Sequence, residues 1–257
     1  MVFYFTGTGN SLYIAKQLDS NVISIPQILK SDDLTFSDER IGIVCPIYGH
    51  EMPAMVKEFI KKATFDTQYF YVILTYGKMH GGAADLAEKY IKSVGKKANY
   101  IHSIIMVDNF LPAFDMIEQM KEDKHIDENL AKIKADIAEK KNAKQKVTLK
   151  DKSVHTMYTK MVKNAPETVW ASYQITDDCI GCGICAKVCP AGCIKLEDQK
   201  AVNTGKNCQA CYACVHACPR MAIQFDLERP EANPKARYRN EHIELTEIIE
   251  ANNQTNY

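Results

Sequence analysis

Two runs of cysteines carry the clearest chemistry in this sequence. They span residues 179–190 and 208–219, and each has the spacing C-x2-C-x2-C-x3-C-P. This is the bacterial spacing for [4Fe–4S] clusters, whose iron is bound by thiolates. Disulfides are the alternative, but they are typical of small secreted domains, and we expect no secretion signal in this 257-residue chain. The eight cysteines of the two runs are Cys179, Cys182, Cys185, Cys189, Cys208, Cys211, Cys214 and Cys218.

A loop of glycines and hydroxyl side chains follows the first apolar segment and precedes a helical pattern. Such a loop binds phosphate, because its backbone N–H groups point outward, glycine allows close approach, and hydroxyls donate further hydrogen bonds. It is not the dinucleotide-binding pattern, since Leu12 stands where that pattern ends in glycine, and no Gly-Lys-Ser/Thr of a nucleotide-triphosphatase loop follows. We predict an anion site formed by Thr6, Gly7, Thr8, Gly9, Asn10 and Ser11.

The charges of the chain balance, with 32 basic and 32 acidic residues. A neutral chain gives no reason to expect binding to nucleic acid or to an anionic membrane surface. The longest apolar segments, such as residues 69–74, are too short to cross a bilayer. We therefore expect a cytoplasmic protein that has neither a membrane nor a nucleic-acid partner.

Short apolar segments alternate with helical patterns over residues 1–110. The third of five predicted strands is almost continuously apolar, as in strands that are buried on both faces. The alternation predicts an α/β fold with a doubly wound, five-stranded parallel sheet. The predicted strands are 2–5, 21–25, 41–46, 69–75 and 101–107, and the predicted helices are 11–18, one opening at Pro53, 81–94 and one starting at Ile126.

The motif T-G-T-G-N-S after the first strand resembles the phosphate loop of flavodoxins, which bind flavin mononucleotide (FMN) at the carboxyl ends of a five-stranded parallel sheet. Two later loops, after predicted strands three and four, agree in position. In flavodoxins the corresponding loops sandwich the isoalloxazine ring and supply backbone hydrogen bonds to its polar edge. The resemblance therefore implies that the flavin contacts Pro46, Tyr48, Gly49, His50, Thr75, Tyr76, Gly77, Gly81 and Gly82.

Other roles for these loop residues stay open. Tyr48 and Tyr76 fit a flavin site, where a flat ring is bound by aromatic side chains, but ordinary packing is the alternative. In flavodoxins a peptide beside the ring can reorient to bond the flavin N5, and Gly49 tolerates the dihedral angles that this needs. A further loop, residues 108–112, leaves predicted strand five on the same side.

The whole chain resembles the fused flavodoxin–ferredoxin proteins of anaerobes. The resemblance implies a flavodoxin-like FMN-binding domain at 1–145, a connector at 146–173, a small α+β ferredoxin domain with two [4Fe–4S] clusters at 174–226, and a tail at 227–257 with a helix at 242–251. The connector region is basic, with ten lysines against three acidic residues between Lys132 and Lys163. A solvated helix face explains this basic stretch, and a docking surface for an acidic partner is the alternative.

The cysteine runs form an internal repeat, because corresponding cysteines differ by 29 positions. In two-cluster ferredoxins the fourth cysteine of each run binds the other cluster. The resemblance thus implies one set of Cys179, Cys182, Cys185 and Cys218, and a second set of Cys208, Cys211, Cys214 and Cys189.

Three further residues have chemistry but are not predicted as ligands. Cys193 aligns with Ala222 in the repeat, so we interpret it as a packing residue. Cys45 ends a buried strand and has no cationic neighbour in the sequence that would activate it. His216 lies inside the second run, whereas histidine ligands belong to another cluster type with another spacing.

The predicted function is electron transfer. Each cluster passes one electron and a flavin holds one or two, so the protein would connect a low-potential donor protein to an unknown acceptor protein. The enzyme alternative is a flavin-dependent reductase with its own small substrate, for which His50 and His80 are candidate proton donors. A redox sensor that signals through the basic connector is a third hypothesis, but no DNA-binding motif supports it.

Overall fold

A parallel six-stranded sheet forms the core of the N-terminal half. The computed structural model describes residues 1–163, 172–205, 207–225 and 232–255. The strand order is β2-β1-β4-β6-β7-β8, and every pair is parallel. The predicted count of five strands is one short, because a two-residue strand extends the sheet at one edge. The strands of this sheet are β1 (Val2–Tyr4), β2 (Val22–Ser24), β4 (Arg40–Pro46), β6 (Tyr69–Tyr76), β7 (Tyr100–Ile105) and β8 (Ala143–Lys144).

The two central strands explain why the sheet is parallel and buried. Strand β4 pairs with β6 over its whole length, from Arg40 opposite Tyr69 to Pro46 opposite Thr75. Nearly every side chain of both strands is buried. Continuous apolar sequence is what a strand needs when both of its faces are covered. The carboxyl ends of parallel strands lie at the same edge, so the loops after β4 and β6 leave the sheet together.

Helices connect the parallel strands, as βαβ crossovers require. The predicted helix 81–94 is found at Ala83–Ser93, and the helix at Pro53 begins one residue later. The helices of this half are α1 (Asn10–Leu18), α2 (Ile25–Ile28), α3 (Ala54–Lys62), α4 (Ala83–Ser93), α5 (Met116–Lys121), α6 (Ile126–Ala138) and α7 (Leu149–Val162). Among the described residues, no helix has both the length and the apolar character that crossing a membrane requires.

A second, small parallel sheet completes the core of the N-terminal half. It pairs β3 (Thr35–Ser37) with β5 (Thr64–Asp66). The central phenylalanines of these strands, Phe36 and Phe65, meet Phe3 and Phe59 at ring-centroid distances of 4.6 to 6.0 Å. Such aromatic clusters bury a large apolar area and favour tilted or edge-to-face geometry.

The cysteine region folds as two interlocked copies of one unit. Its elements are β9 (Tyr173–Ile175), α8 (Ile184–Lys187), β10 (Ile194–Glu197), β11 (Lys200–Asn203), α9 (Ala213–Ala217) and β12 (Ile223–Phe225). Adding 29 to the first residue of α8 gives that of α9, and adding 29 to that of β10 gives that of β12. The copies pair crosswise, because β12 is antiparallel to β9 and β11 is antiparallel to β10.

The chain forms two compact units that interleave along the sequence. The first comprises Met1–Phe5, Ser11–Met106 and Asp123–Ala165, and the second comprises Thr6–Asn10, Val107–Glu122 and Pro166–Tyr257. The second unit thus contains the cysteine region, the C-terminal helix α10 (Leu245–Asn252) and most of the predicted phosphate loop. The domain boundaries expected at 145, 173 and 226 stay predictions.

Candidate cofactor sites

The first cysteine cavity lies between the two copies of the cysteine unit. Its lining includes Cys179, Cys182, Cys185 and Cys218, which is the first predicted ligand set. The enclosed space, including the part open to solvent, is about 350 Å³. Leu196, Ile180, Ala222 and Ile223 form an apolar wall around the thiols.

The second cavity repeats this arrangement with the other four cysteines. Cys208, Cys211 and Cys214 come from the second run and Cys189 comes from the first, in a space of about 320 Å³. Both cavities therefore bring together the cysteines of the predicted sets, while the assignment of the eight thiolates as ligands stays a prediction. The other lining residues are Tyr173, Pro190, Ala191, Cys193, Ile194, Asn203, Gln209 and Tyr212.

Backbone N–H groups point at thiols in both copies. Cys193 N donates to Cys189 Sγ at 3.2 Å, and its repeat mate Ala222 N donates to Cys218 Sγ at 3.3 Å. Cys179 Sγ accepts from Ala201 N at 3.5 Å, and Cys208 Sγ from Ala210 N at 3.4 Å. Such donors favour thiolate over thiol and help to set the potential of a bound cluster. The donor set and the cavity size fit [4Fe–4S] clusters.

Burial keeps several of these thiols protonated unless metal binds. It raises the pKa of Cys185 to about 11, and it raises the pKa values of Cys211 and Cys214 well above the ordinary thiol value. Metal binding must therefore displace protons from these sulfurs, so that cluster assembly and folding are linked.

Cys193 lies beside the predicted ligands of the second cavity, which its alignment with Ala222 does not indicate. It is 2% exposed and lines the second cavity. Its S–H can donate to Cys189 or to Cys208, which lowers the pKa values of both thiols below the ordinary value. The interpretation of Cys193 as a packing residue stays a prediction, but the structure adds these two thiol contacts.

Gly181 permits the close turn over the first cavity. Its φ is +66°, and a Cβ there would overlap the carbonyl oxygen of Gln199. Any other residue would have to move the backbone beside Cys179 and Cys182.

The predicted phosphate loop is buried, and two of its amides are left for a ligand. Gly9 N donates to Thr6 Oγ1 at 3.0 Å, which closes the turn. Among the described residues, the N–H groups of Gly7 and Thr8 have no acceptor. Buried amides without acceptors are rare in folded proteins, so this pair fits a bound anion such as the phosphate of FMN.

The carbonyl and hydroxyl groups of the loop are held by residues that are distant in sequence. Thr8 O accepts from Asn240 N at 2.8 Å, and Thr6 O accepts from Asn252 Nδ2 at 2.9 Å. Thr8 Oγ1 accepts from Asn109 Nδ2 at 2.7 Å, so the loop at 108–112 contributes through Asn109. The roles of Asn240 and Asn252 are not predictable from the sequence, because nothing in the C-terminal tail indicates which loop it contacts.

The two loops predicted to hold the flavin ring contact each other. His50 is 9% exposed with φ +71°, and its imidazole packs against the backbone of Gly81. Thr75 Oγ1 is 2.8 Å from Ser11 Oγ, which joins the end of β6 to the first turn of α1. The ring of Tyr76 lies edge-to-face with that of His80, at 5.3 Å between centroids.

Helix α7 covers these loops. The sequence did not predict this contact. His155 Nδ1 is 3.4 Å from His50 Nδ1, and Asp151 Oδ1 is 3.6 Å from His80 Nε2. Tyr158 lies so close to Gly49 that a Cβ there would be 2.7 Å from the tyrosine oxygen. Burial, then the neighbouring His155 and His80, lower the pKa of His50 below its usual range. The loops therefore have a cluster of aromatic and titratable side chains beside them.

Tyr48 and His216 have defined surroundings. Tyr48 pairs with Glu51 in an isolated antiparallel bridge, and its ring is 6.3 Å from that of Phe5.

His216 is buried, and burial lowers its pKa to about 4. Its two ring nitrogens contact Asn109 O and Tyr238 N, so neither is available to bind iron.

Comparison with known proteins identifies the cysteine region. A family model described as a 4Fe-4S dicluster domain matches residues 156–223. A component of an ion-translocating oxidoreductase complex from Methanosarcina acetivorans is 48% identical over 47 residues, which cover 18% of this chain and 18% of the relative. A component of an NADH-quinone oxidoreductase from Pelobacter propionicus is 32% identical over 65 residues, covering 20% of this chain and 35% of the relative.

A third relative is the pyruvate synthase component PorD of Methanothermobacter marburgensis, 36% identical over 53 residues. The match covers 21% of this chain and 62% of the relative. The chain thus spans between 18% and 62% of the length of these three relatives. The C-terminal region is therefore a ferredoxin-type 4Fe-4S domain, and it follows an α/β region with a parallel six-stranded sheet.

Proposed function

We propose that this protein is an electron-transfer protein that binds two [4Fe–4S] clusters and FMN, and that passes electrons between them. One observation carries the proposal: each of two similar cavities is lined by four cysteines, three from one run and one from the other. Similarity to ferredoxin-type proteins and to components of oxidoreductases supports an iron–sulfur electron-transfer role.

The residues of the cavities would perform three tasks. Three thiolates of one run and the fourth thiolate of the other hold each cluster, in the two predicted sets. The backbone amides of Cys193, Ala201, Ala210 and Ala222 offset the negative charge on the sulfurs. Apolar neighbours such as Leu196 and Ile223 limit water, which influences the potential.

Two observations support FMN as the second cofactor. Without its edge strand β8, the six-stranded sheet has five strands. When these five are numbered in sequence order, leaving out β3 and β5 of the small sheet, their spatial order is 2-1-3-4-5. This is the flavodoxin-like order. The buried amides of Gly7 and Thr8 lack acceptors among the described residues, and they would bind the phosphate. The ring would be held by the loops that follow β4 and β6. Bound FMN would supply exchange between one-electron and two-electron carriers.

The partners would be redox proteins. The relatives are named as parts of complexes or of multisubunit enzymes, so we propose that a low-potential protein donates electrons and a second protein accepts them. The proposed division of the chain is a flavodoxin-like domain at 1–145, a connector at 146–173, a ferredoxin domain at 174–226 and a tail.

A flavin-dependent reductase is the second candidate function. It is favoured by the histidines beside the predicted ring loops, because His50 contacts His155 and His80 faces Asp151. A histidine held by a carboxylate is a common proton donor. In this function the clusters would feed electrons to the flavin, and a small substrate would take them together with a proton.

One experiment tests the proposal and separates it from the second candidate. The protein is reconstituted with iron, sulfide and FMN, reduced anaerobically, and offered either small-molecule acceptors or candidate acceptor proteins. We expect absorbance changes of both cofactors and reoxidation by a protein acceptor. Turnover with a small molecule alone would favour the reductase. Protein that binds clusters but no FMN would contradict the flavin part of the proposal.

A further inference from the structure

The C-terminal tail, residues 232–255, contacts both the predicted phosphate loop and the cysteine region. Asn240 N and Asn252 Nδ2 donate to the carbonyls of Thr8 and Thr6, and the backbone of Gly9 lies against Asn240 and Ile243. At its end, the tail approaches Gly192, because a Cβ at that glycine would be 3.3 Å from Gln254 Cβ. All these residues belong to the second compact unit.

His216 is the contact point between the tail and the second cysteine run. It lies on α9 between Cys214 and Cys218, one cysteine from each predicted ligand set, and it is 9% exposed. Its Nδ1 accepts from Tyr238 N at 3.0 Å, so the neutral ring carries its proton on Nε2. Nε2 then donates to Asn109 O at 2.9 Å.

Two branches lead from His216 to the predicted phosphate loop. On one branch, Asn109 donates through Nδ2 to Thr8 Oγ1 at 2.7 Å. On the other, Tyr238 donates through its hydroxyl to Asn10 Oδ1 at 2.6 Å. Buried hydrogen-bond networks of this kind rigidify the groups they join, because each unsatisfied member is costly.

We infer that His216 and the tail couple phosphate binding at the Thr6–Asn10 loop to cluster binding in the cysteine cavities. The inference rests on the proposed function, because it takes FMN and the clusters as the ligands. A bound cluster orders the run that carries His216, and His216 then orders Asn109 and Tyr238. A loop that is already ordered loses less entropy when it binds phosphate, so the two ligands favour each other. His216 is a positioning residue in this coupling, since it contacts neither ligand.

Linkage makes the coupling measurable from either side, because its size is the same for both ligands. The first readout is the rate at which a chelator removes iron from the anaerobic, cluster-loaded protein, measured with and without saturating FMN. The second is FMN affinity, measured by quenching of FMN fluorescence. We expect the cluster-loaded protein to bind FMN at least about fivefold more tightly than the cluster-free protein, the lower end of typical coupling, and we expect FMN to slow iron release.

Three variants test the role of His216. His216→Leu removes both branches, and we expect FMN to have almost no effect on its iron release. His216→Gln keeps one donor and one acceptor, and it should retain most of the effect. His125→Leu is the matched control, because that histidine is exposed and belongs to the first unit. Equal protection by FMN in His216→Leu and in the unsubstituted protein would overturn the inference.

A milder variant keeps the test decisive if His216→Leu fails to assemble clusters. Tyr238→Phe removes only the hydroxyl that bonds Asn10, while its backbone amide still bonds His216. We expect it to load both clusters and to show reduced protection by FMN, and unchanged protection would overturn the inference. If the unsubstituted protein binds no FMN, the flavin part of the proposed function fails first, and the inference fails with it.

Discussion

Cys193 and Ala222 occupy equivalent positions, and the difference between them makes the two cavities unlike. Each follows the fourth cysteine of a run by four residues, and each donates its N–H to that cysteine's sulfur. Only Cys193 adds a thiol, whose single S–H can donate to Cys189 or to Cys208. A hydrogen bond to a thiolate stabilises the more negative, reduced state of the cluster it binds. This thiol should therefore raise the potential of the cluster in the second cavity.

The first prediction concerns Cys193→Ala. We expect the iron content to stay at about eight atoms per chain, because the predicted ligands are intact. The potential of the second-cavity cluster should fall by about 40 mV, because the variant loses one S–H hydrogen bond of about 1 kcal/mol. Potentiometric titration followed by electron paramagnetic resonance measures this, with Cys45→Ala as the control. Loss of half the iron would show instead that Cys193 is a ligand.

Gly181 gives a second prediction at the same scale. Gly181→Ala places a methyl group on the carbonyl of Gln199, in addition to the strain of a positive φ. Gly205→Ala is the matched control, with φ +67° and open space around its Cβ. The control should lose about 1 kcal/mol, whereas Gly181→Ala should lose more and release the first cluster faster to a chelator. Equal losses in both variants would show that the close contact with Gln199 is unimportant.

At the scale of elements, α7 influences the loops after β4 and β6 through its inner face. His155→Leu removes an imidazole whose electrostatic effect opposes protonation of His50. We therefore expect the pKa of His50 to rise, while burial, the larger cause of its lowered pKa, keeps it below the ordinary value. Titration of the histidine Cε1 protons by NMR measures the change, and His125→Leu is the control. An unchanged pKa of His50 would mean that α7 does not approach this loop in solution.

The junction of α6 with β7 gives a pH-dependent prediction. Asp136 accepts from Lys141 Nζ at 2.7 Å and from Tyr100 Oη at 2.9 Å, and these bonds lower its pKa. Because a lowered carboxyl pKa stabilises the fold above the unfolded-state value, that stabilisation is lost below about pH 4. Asp136→Asn should cost about 1 kcal/mol at pH 7 and less at pH 3.

Denaturant unfolding at the two pH values tests this prediction. The exposed Asp32→Asn serves as the control, and its effect should be small at both values. A cost of Asp136→Asn that is equal at both pH values would contradict the role assigned to the ionised carboxylate.

The sequence predicts the elements that bury continuous apolar segments and misses those that do not. Strands β4 and β6 are unmistakable because nearly every residue is buried, whereas β3 and β5 have only a half-buried central residue between exposed neighbours. The cysteine sets follow from spacing and the repeat. The contacts of Tyr158 with Gly49 and of Asn252 with Thr6 join residues more than a hundred positions apart, and no local pattern specifies such pairs.

At the scale of the molecule, the second compact unit groups the predicted phosphate loop with both cysteine cavities. The chain returns through its tail to the first loop, so one folding unit contains residues proposed to bind both kinds of cofactor. The stability of the predicted phosphate loop and that of the cysteine cavities should therefore be linked. The number of electrons that the protein takes up should equal the sum of those taken up by its proposed cofactors.

The last prediction concerns the total number of electrons that the protein takes up on reduction. Anaerobic titration with dithionite should take up about four electrons per chain, about one for each cluster and about two for FMN. Protein from which FMN has been removed should take up about two, and Cys182→Ser should lose about one because a single cluster is missing. Cys45→Ser is the control and should match the unsubstituted protein. An uptake of about two electrons regardless of added FMN would contradict the flavin site, and an uptake of about three would leave room for only one cluster.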